Sequence, residues 1–348
     1  MLRRFINLFK QDITVALRNY YHIVILILAI LMTLFINFAV PEQVKLTPTE
    51  YILDKTEGKV LEKFLIEKGS DSSRFFNSRD DLIDKVQNDN NSLGIIIEGD
   101  IKTPKVTIVH QGTESTEILN VLDATIESAL DMIRQTARET NTKVLLLREK
   151  SNPIPFNKSL VPIMLVTEAV MLGFFLIAVM VFQEKEEGSV RAYRVSPAGT
   201  MEYILSKAAV NILLALIYSV ILVTFTLGMN VNYLGLILLI FVASLFVTLL
   251  GLSVSVYFRS LQEFLFVGVF FMSILGLPIG SYLSPSFAPS FITWLPSYNI
   301  LFGLREVLFS TGKTQFVTSL ILILAVESIV LLGISYWSVK RQLMKEGR

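Results

Sequence analysis

The sequence predicts a polytopic α-helical membrane protein, with six transmembrane helices, an N-terminal interfacial helix and a small extracellular α/β domain. Three observations carry this reading. Of 348 residues, 52% are hydrophobic. Residues 208–258 and 264–304 contain no Asp, Glu, Lys or Arg; such runs far exceed the ~20 residues that one bilayer-spanning helix needs, so each must fold back inside a membrane. Polarity is also segregated, into one insert at 41–158 and short stretches between apolar runs.

The elements follow in order. In MLRRFINLFKQDITVALRNY (1–20), Leu2, Phe5, Ile6, Phe9, Ile13, Ala16 and Leu17 share a helical face. Arg3, Arg4, Lys10, Asp12 and Arg18 fall elsewhere, the pattern of a helix lying in the membrane interface. Span 1 is expected at 22–40; it is long and no A-x-A site follows, so it reads as an uncleaved anchor. Span 2 is expected at 159–182, span 3 at 204–228 and span 4 at 233–257, the last two parted by the turn GMNVNY (228–233). Span 5 is expected at 264–283 and span 6 at 315–338. Between these two, SPSFAPSFITWLPSYN (284–299) is too rich in Pro for an ordinary helix and too apolar for an open loop. It reads as a re-entrant element shielded by protein. The chain divides into 1–40 (interfacial helix and span 1), 41–158 (outer domain) and 159–348 (spans 2–6).

Six spans place both termini on one side. That side gathers Arg3, Arg4, Lys10, Arg18, Lys185, Arg191, Arg194, Lys207, Arg259, Lys340, Arg341, Lys345 and Arg348, while the short segments opposite hold Arg305 and Lys313. The positive-inside rule makes the termini cytoplasmic and the 41–158 insert extracellular.

Within the insert, YILD (51–54), SLGIIIEG (92–99) and KVTIVHQG (105–112) read as strands. Helices are expected at 56–68, at 79–88 with Ser78 as N-cap, and at 115–147. Alternating strands and helices imply a small α/β domain. With no Cys and two His, the chain offers no disulfide framework, thiolate metal site or cysteine nucleophile. No G-x-S-x-G or H-E-x-x-H pattern is present, and His110 suits an ordinary turn. A net charge of +1 without a basic tract argues against nucleic acid. Abundant Ile, Asn and Lys suit a low-GC bacterium, hence a bacterial cell membrane.

The polar stretch between spans 2 and 3 runs Glu184-Lys185-Glu186-Glu187-Gly188-Ser189, then Arg191, Arg194, Ser196-Pro197, Glu202 and Lys207. This resembles the first cytoplasmic loop of ATP-binding-cassette type 2 permeases, with its acidic start, Gly-Ser, short helix, Ser-Pro and Glu before a Lys. LFKQDITVALRNYY, the insert after span 1 and WLPSYNILFGLREVLFSTG (294–312) also resemble the family. The resemblance implies that about 184–196, within a loop at 183–203, is a coupling helix docked on a cytoplasmic ATPase. Glu184, Lys185, Glu187, Gly188, Arg191, Arg194, Ser196, Pro197 and Glu202 are its coupling residues. The chain carries no G-x-x-x-x-G-K-[ST], so ATP and Mg belong to a separate subunit. A second permease chain, identical or not, is also implied, with membrane lipid around the pair.

Export of a drug, antibiotic peptide or lipid is the expected activity, with sodium as an alternative cargo among relatives carrying a large insert. A different class, a non-transporting scaffold or receptor displaying the outer domain, is the competing reading. Glu168 and Glu327 are candidate transport-path residues. Counting 1.5 Å per residue puts each near the midplane of a ~30 Å core, where a carboxylate must face protein or water.

Overall fold

The computed structural model describes residues 2–42, 49–89, 92–100, 104–110, 116–133, 154–190, 193, 199–284, 287–309 and 314–343. The chain forms two compact units, one of residues 1–43 with 153–348 and the other of 44–152.

The larger unit is helical. After an interfacial helix, Leu2–Arg18, it has, among the described residues, six helices long and apolar enough to cross a membrane. Span 1 is Tyr21–Ala39, span 2 Phe156–Glu187, span 3 Thr200–Leu227, span 4 Tyr233–Ser255, span 5 Leu261–Leu283 and span 6 Gln315–Gln342. In the apolar stretches of spans 2, 3 and 4, 67%, 56% and 61% of residues are buried, against 22%, 22% and 17% in spans 1, 5 and 6. Spans 2–4 are therefore the packed centre, and the other three turn apolar side chains outward. On span 5, Phe266 and Phe270 are 85% and 66% exposed.

Close approach at the centre depends on small residues. A Cβ on Gly251 of span 4 would meet the Phe174 carbonyl oxygen of span 2 at 2.7 Å and Ile177 Cγ2 at 2.9 Å. Only glycine lets the two backbones come that near, as small residues do between helices in lipid.

Two features depart from the expectations. Asp12, assigned to the polar side of the interfacial helix, is buried; the residues that bury are Leu8, Asp12 and Ala16, one i, i+4, i+8 stripe. Span 2 does not stop at 182 but continues as helix to Glu187, because the charges of its last turn find partners inside the protein. Span 2 also widens into a π-helical segment at Leu165–Met171, which contains Glu168.

Of the segment expected at 284–299, residues 285–286 lie outside the described residues. The remainder holds a short helix, Ser290–Thr293, and the start of a longer one, Pro296–Leu308. At 13 residues the latter is shorter than a crossing requires. It buries Ile300, Leu301 and Leu304 and leaves Trp294 before it 85% exposed.

Among the described residues, the smaller unit holds a three-stranded sheet ordered β1 (Thr49–Thr56), β2 (Ser92–Gly99), β3 (Lys105–Val109). β1 and β2 are parallel, β2 and β3 antiparallel. A parallel pair needs a crossover, supplied by helices Val60–Glu67 and Arg79–Asn88. Ser78 caps the second, its Oγ accepting from the Asp80 N–H at 3.3 Å. Along β2, Leu93, Ile95 and Ile97 face one cluster with Leu122, Ile126 and Leu130 of helix Thr116–Ile133. Ile96 faces the other, with Leu82 and Val86. Burial on both faces accounts for the unbroken apolar run of that strand. Residues 134–147 of the helix expected at 115–147 lie outside the described residues.

Candidate functional site

The last turn of span 2 carries the site. Gln183, Glu184 and Lys185 point different ways around the helix, at about 100° per residue, and each grips a different neighbour.

Glu184 faces span 3. There Tyr203, Ser206 and Lys207 share one face at i, i+3 and i+4. Lys207 is 1% exposed, and its Nζ lies 2.5 Å from Glu184 Oε1 and 3.2 Å from Asp12 Oδ1 of the interfacial helix. The second oxygen of each acid is also satisfied. Tyr203 OH donates to Glu184 Oε2 at 2.7 Å, and Ser206 Oγ donates to Asp12 Oδ2. The Lys207 ammonium also sits over the Tyr203 ring, 4.7 Å from its centroid, while Tyr193 packs edge-on against that ring. Burial first, then the nearby Asp12 and Glu184 charges, pushes the Tyr193 phenol well above its ordinary pKa. It therefore stays neutral at any physiological pH. One cation shared by two acids joins three elements distant in sequence.

Lys185 faces the end of span 4. Its Nζ donates to the carbonyls of Phe258 at 2.8 Å and Val256 at 3.4 Å, and lies 4.7 Å from the centre of the Phe182 ring. Those carbonyls close the C-terminal end of a helix, where a cation is favoured by the orphan acceptors and the dipole. Gln183 faces the join between the interfacial helix and span 1. Its Oε1 accepts from Asn19 Nδ2 at 2.9 Å and Tyr21 OH at 3.1 Å, and its Nε2 donates to Glu187 Oε1 at 2.9 Å.

Span 2 ends at Gly188, in the left-handed conformation with φ 73°. A Cβ there would meet nothing within 4 Å, so the glycine serves the backbone turn and not packing. Arg191, Arg194, Ser196 and Pro197 lie outside the described residues.

The expected coupling set thus separates. Glu184 and Lys185, expected among the residues docked on the ATPase, turn inward and hold the bundle together. Glu187 stays at the exposed rim beside Gly188. Glu202 is elsewhere, buried in the first turn of span 3 at the end of an apolar groove. The sequence reading missed Gln183, Tyr203 and Ser206 as site residues, and gave Asp12 and Lys207 no partner. A signal was available: Asp12 is the sole acid in the first forty residues, and Lys207 the last charge before the neutral run 208–258. Each is a charge at the edge of an apolar setting, which requires a counter-charge.

The two mid-span acids are not brought together by any hydrogen bond or ion pair among the described residues. Glu168 opens into a cavity of about 440 Å³ between spans 2 and 5, with Thr167, Phe175, Met272 and Ser273 in its walls. Glu327 of span 6 is partly buried, and its Oε2 is enclosed without a partner among the described residues. Among the described residues no three His, Cys, Asp or Glu side chains stand close enough to hold a metal ion.

Comparison with known proteins adds one match: the family model described as "ABC-2 family transporter protein" covers residues 21–337. No curated protein matches the chain.

Proposed function

Because this chain belongs to the ABC-2 family of transporter proteins, as a permease subunit of an ATP-binding-cassette transporter, we propose that it exports an amphipathic or hydrophobic substrate. A separate cytoplasmic ATPase drives it through the stretch that follows span 2. In this reading the termini are cytoplasmic, the 41–158 unit is outside, and a second permease chain completes the pathway. The outward apolar side chains of span 5 suit lipid or that second chain. ATP and Mg sit on the ATPase, which contacts Glu187 and Gly188 at the rim and, further along the loop, Arg191 and Arg194.

The observation that supports this most is the triple grip of Gln183, Glu184 and Lys185. A force applied at Gly188 meets no slack: the last turn of span 2 is tied to the interfacial helix, to span 3 and to the end of span 4. Displacement of the loop by ATPase closure would therefore move these elements as one body, the rigid-body form of switching. Glu168 and Glu327 line the moving region as sites for a polar or cationic part of the cargo.

The test is co-purification of the ATPase with the full chain. Arg191→Glu with Arg194→Glu should release the ATPase while the permease stays folded and monodisperse. Retention of the ATPase by that variant would overturn the assignment.

A further inference from the structure

The interfacial helix and span 3 do not close on each other completely. Between them lies an open groove of about 700 Å³, walled by Leu2, Phe5 and Phe9 on one side and by Leu205, Ala209 and Leu213 on the other. Phe5 and Phe9 stack at 5.9 Å and make a flat wall. Small residues at 208 and 209 hollow out the facing helix. From Glu202 to Leu216, both in the lining, span 3 rises by about 21 Å. The groove is thus long and narrow, shaped for an extended hydrocarbon.

One group in this lining is charged. Glu202 is only 7% exposed, yet its carboxylate has no hydrogen bond or ion pair among the described residues. It stands in the first turn of span 3, over Gly199, where a Cβ would meet Glu202 Oε2 at 2.6 Å. The basic residues near this wall lie off it: by helical spacing Arg3, Arg4 and Lys10 each sit about 100° or more around the helix from Phe5 and Phe9. A nearly buried carboxylate without a counter-charge among the described residues, at the end of an apolar trough, is complementary to a ligand with a long apolar body and one positive head.

We propose that this groove binds an amphipathic cation, a long-chain amine or quaternary ammonium. Its tail lies between the interfacial helix and span 3, and its head is paired with Glu202. Binding stands on the groove itself; only the role of the groove as an entry point for exported cargo rests on the permease reading. An anionic lipid is disfavoured by the same carboxylate, and a neutral one gains nothing from it.

The test uses the full chain in zwitterionic nanodiscs without ATPase or ATP, so that a failure of the export reading leaves the result untouched. The probe is a diazirine-bearing dodecyltrimethylammonium, with the matching dodecanol diazirine as its neutral counterpart. The cationic probe should label residues of the groove wall, and excess dodecyltrimethylammonium should compete. Glu202→Gln should lower that labelling about tenfold, the loss of one charge-assisted contact, and leave the weak labelling by the alcohol unchanged. Ala209→Phe, which fills the trough with an apolar side chain, should block the cationic probe while Glu202 remains. Equal labelling of wild type and Glu202→Gln, wild-type labelling by the alcohol as strong as by the cation, or labelling unaffected by Ala209→Phe would each overturn the proposal.

Discussion

Two sets of acids in the membrane unit, one buried and one partly buried, have opposite surroundings. At the end of spans 2 and 3, Asp12 and Glu184 share the Lys207 ammonium, and both oxygens of each acid have a hydrogen-bond donor. Further along the same span, Glu168 faces a cavity, and Glu327 on span 6 has an enclosed oxygen without a partner among the described residues. Burial alone therefore does not mark function in this chain. Where charge is neutralised in place, the acids are part of the scaffold and fix how helices meet. Where no partner is in place among the described residues, the acids are the ones proposed above to meet the cargo. The same logic separates Glu184, in the last turn of span 2, from Glu202, in the first turn of span 3: one is paired with Lys207 and the other lines an apolar groove.

This contrast breaks most visibly at Lys207. Lys207→Met leaves two acids buried without their cation, and removal of one member of such a cluster costs about 3–5 kcal/mol. The thermal unfolding temperature in detergent should fall steeply. Adding Asp12→Asn and Glu184→Gln to the same chain should recover most of the loss, because the neutral triad keeps its hydrogen-bonding shape. A triple variant no better than Lys207→Met would mean that the cluster matters for packing and not for charge.

A smaller effect is expected at Lys185. Lys185→Met forfeits the contacts to Phe258 and Val256 but keeps most of the apolar stem. The loss should be about 1 kcal/mol, since the group is half-buried and partly screened. A fall as large as that of Lys207→Met would erase the distinction between a buried triad and a helix-end clasp.

At the open acids the order reverses. Glu168→Gln and Glu327→Gln should change thermal stability by less than about 0.5 kcal/mol, yet alter transport of cationic substrates. Normal transport of every tested substrate by both variants across pH would make these carboxylates structural.

Much of this organisation was legible in the sequence, for identifiable reasons. The spans were plain because a bilayer demands long charge-free runs, and Gly, Asn and Pro punctuate them. The sheet of the smaller unit was legible in SLGIIIEG because the apolar run is short, rich in β-branched Ile and bounded by Gly, the marks that separate a strand buried on both faces from a helix. The grip at the end of span 2 was not. Asp12 lies 195 residues from Lys207 in sequence, and sorting a helical wheel by polarity assigns any acid to the wet side. The π-helical widening around Glu168 was equally hidden, since nothing in LVTEAVM differs in composition from an ordinary helical turn. Pairing across sequence distance, rather than composition, decided which charges hold the fold and which remain open.

The most direct test of the account is ATP-driven transport in proteoliposomes by the chain with its ATPase, comparing wild type with Glu187→Lys and with Arg194→Glu. Glu187 lies at the exposed rim, outside the Asp12–Lys207–Glu184 cluster, and the unfolding temperature of both variants, measured alongside, should hold. The account predicts that ATP is still hydrolysed while transport falls at least tenfold. Unchanged transport in both variants, with the ATPase bound as in wild type, would contradict it.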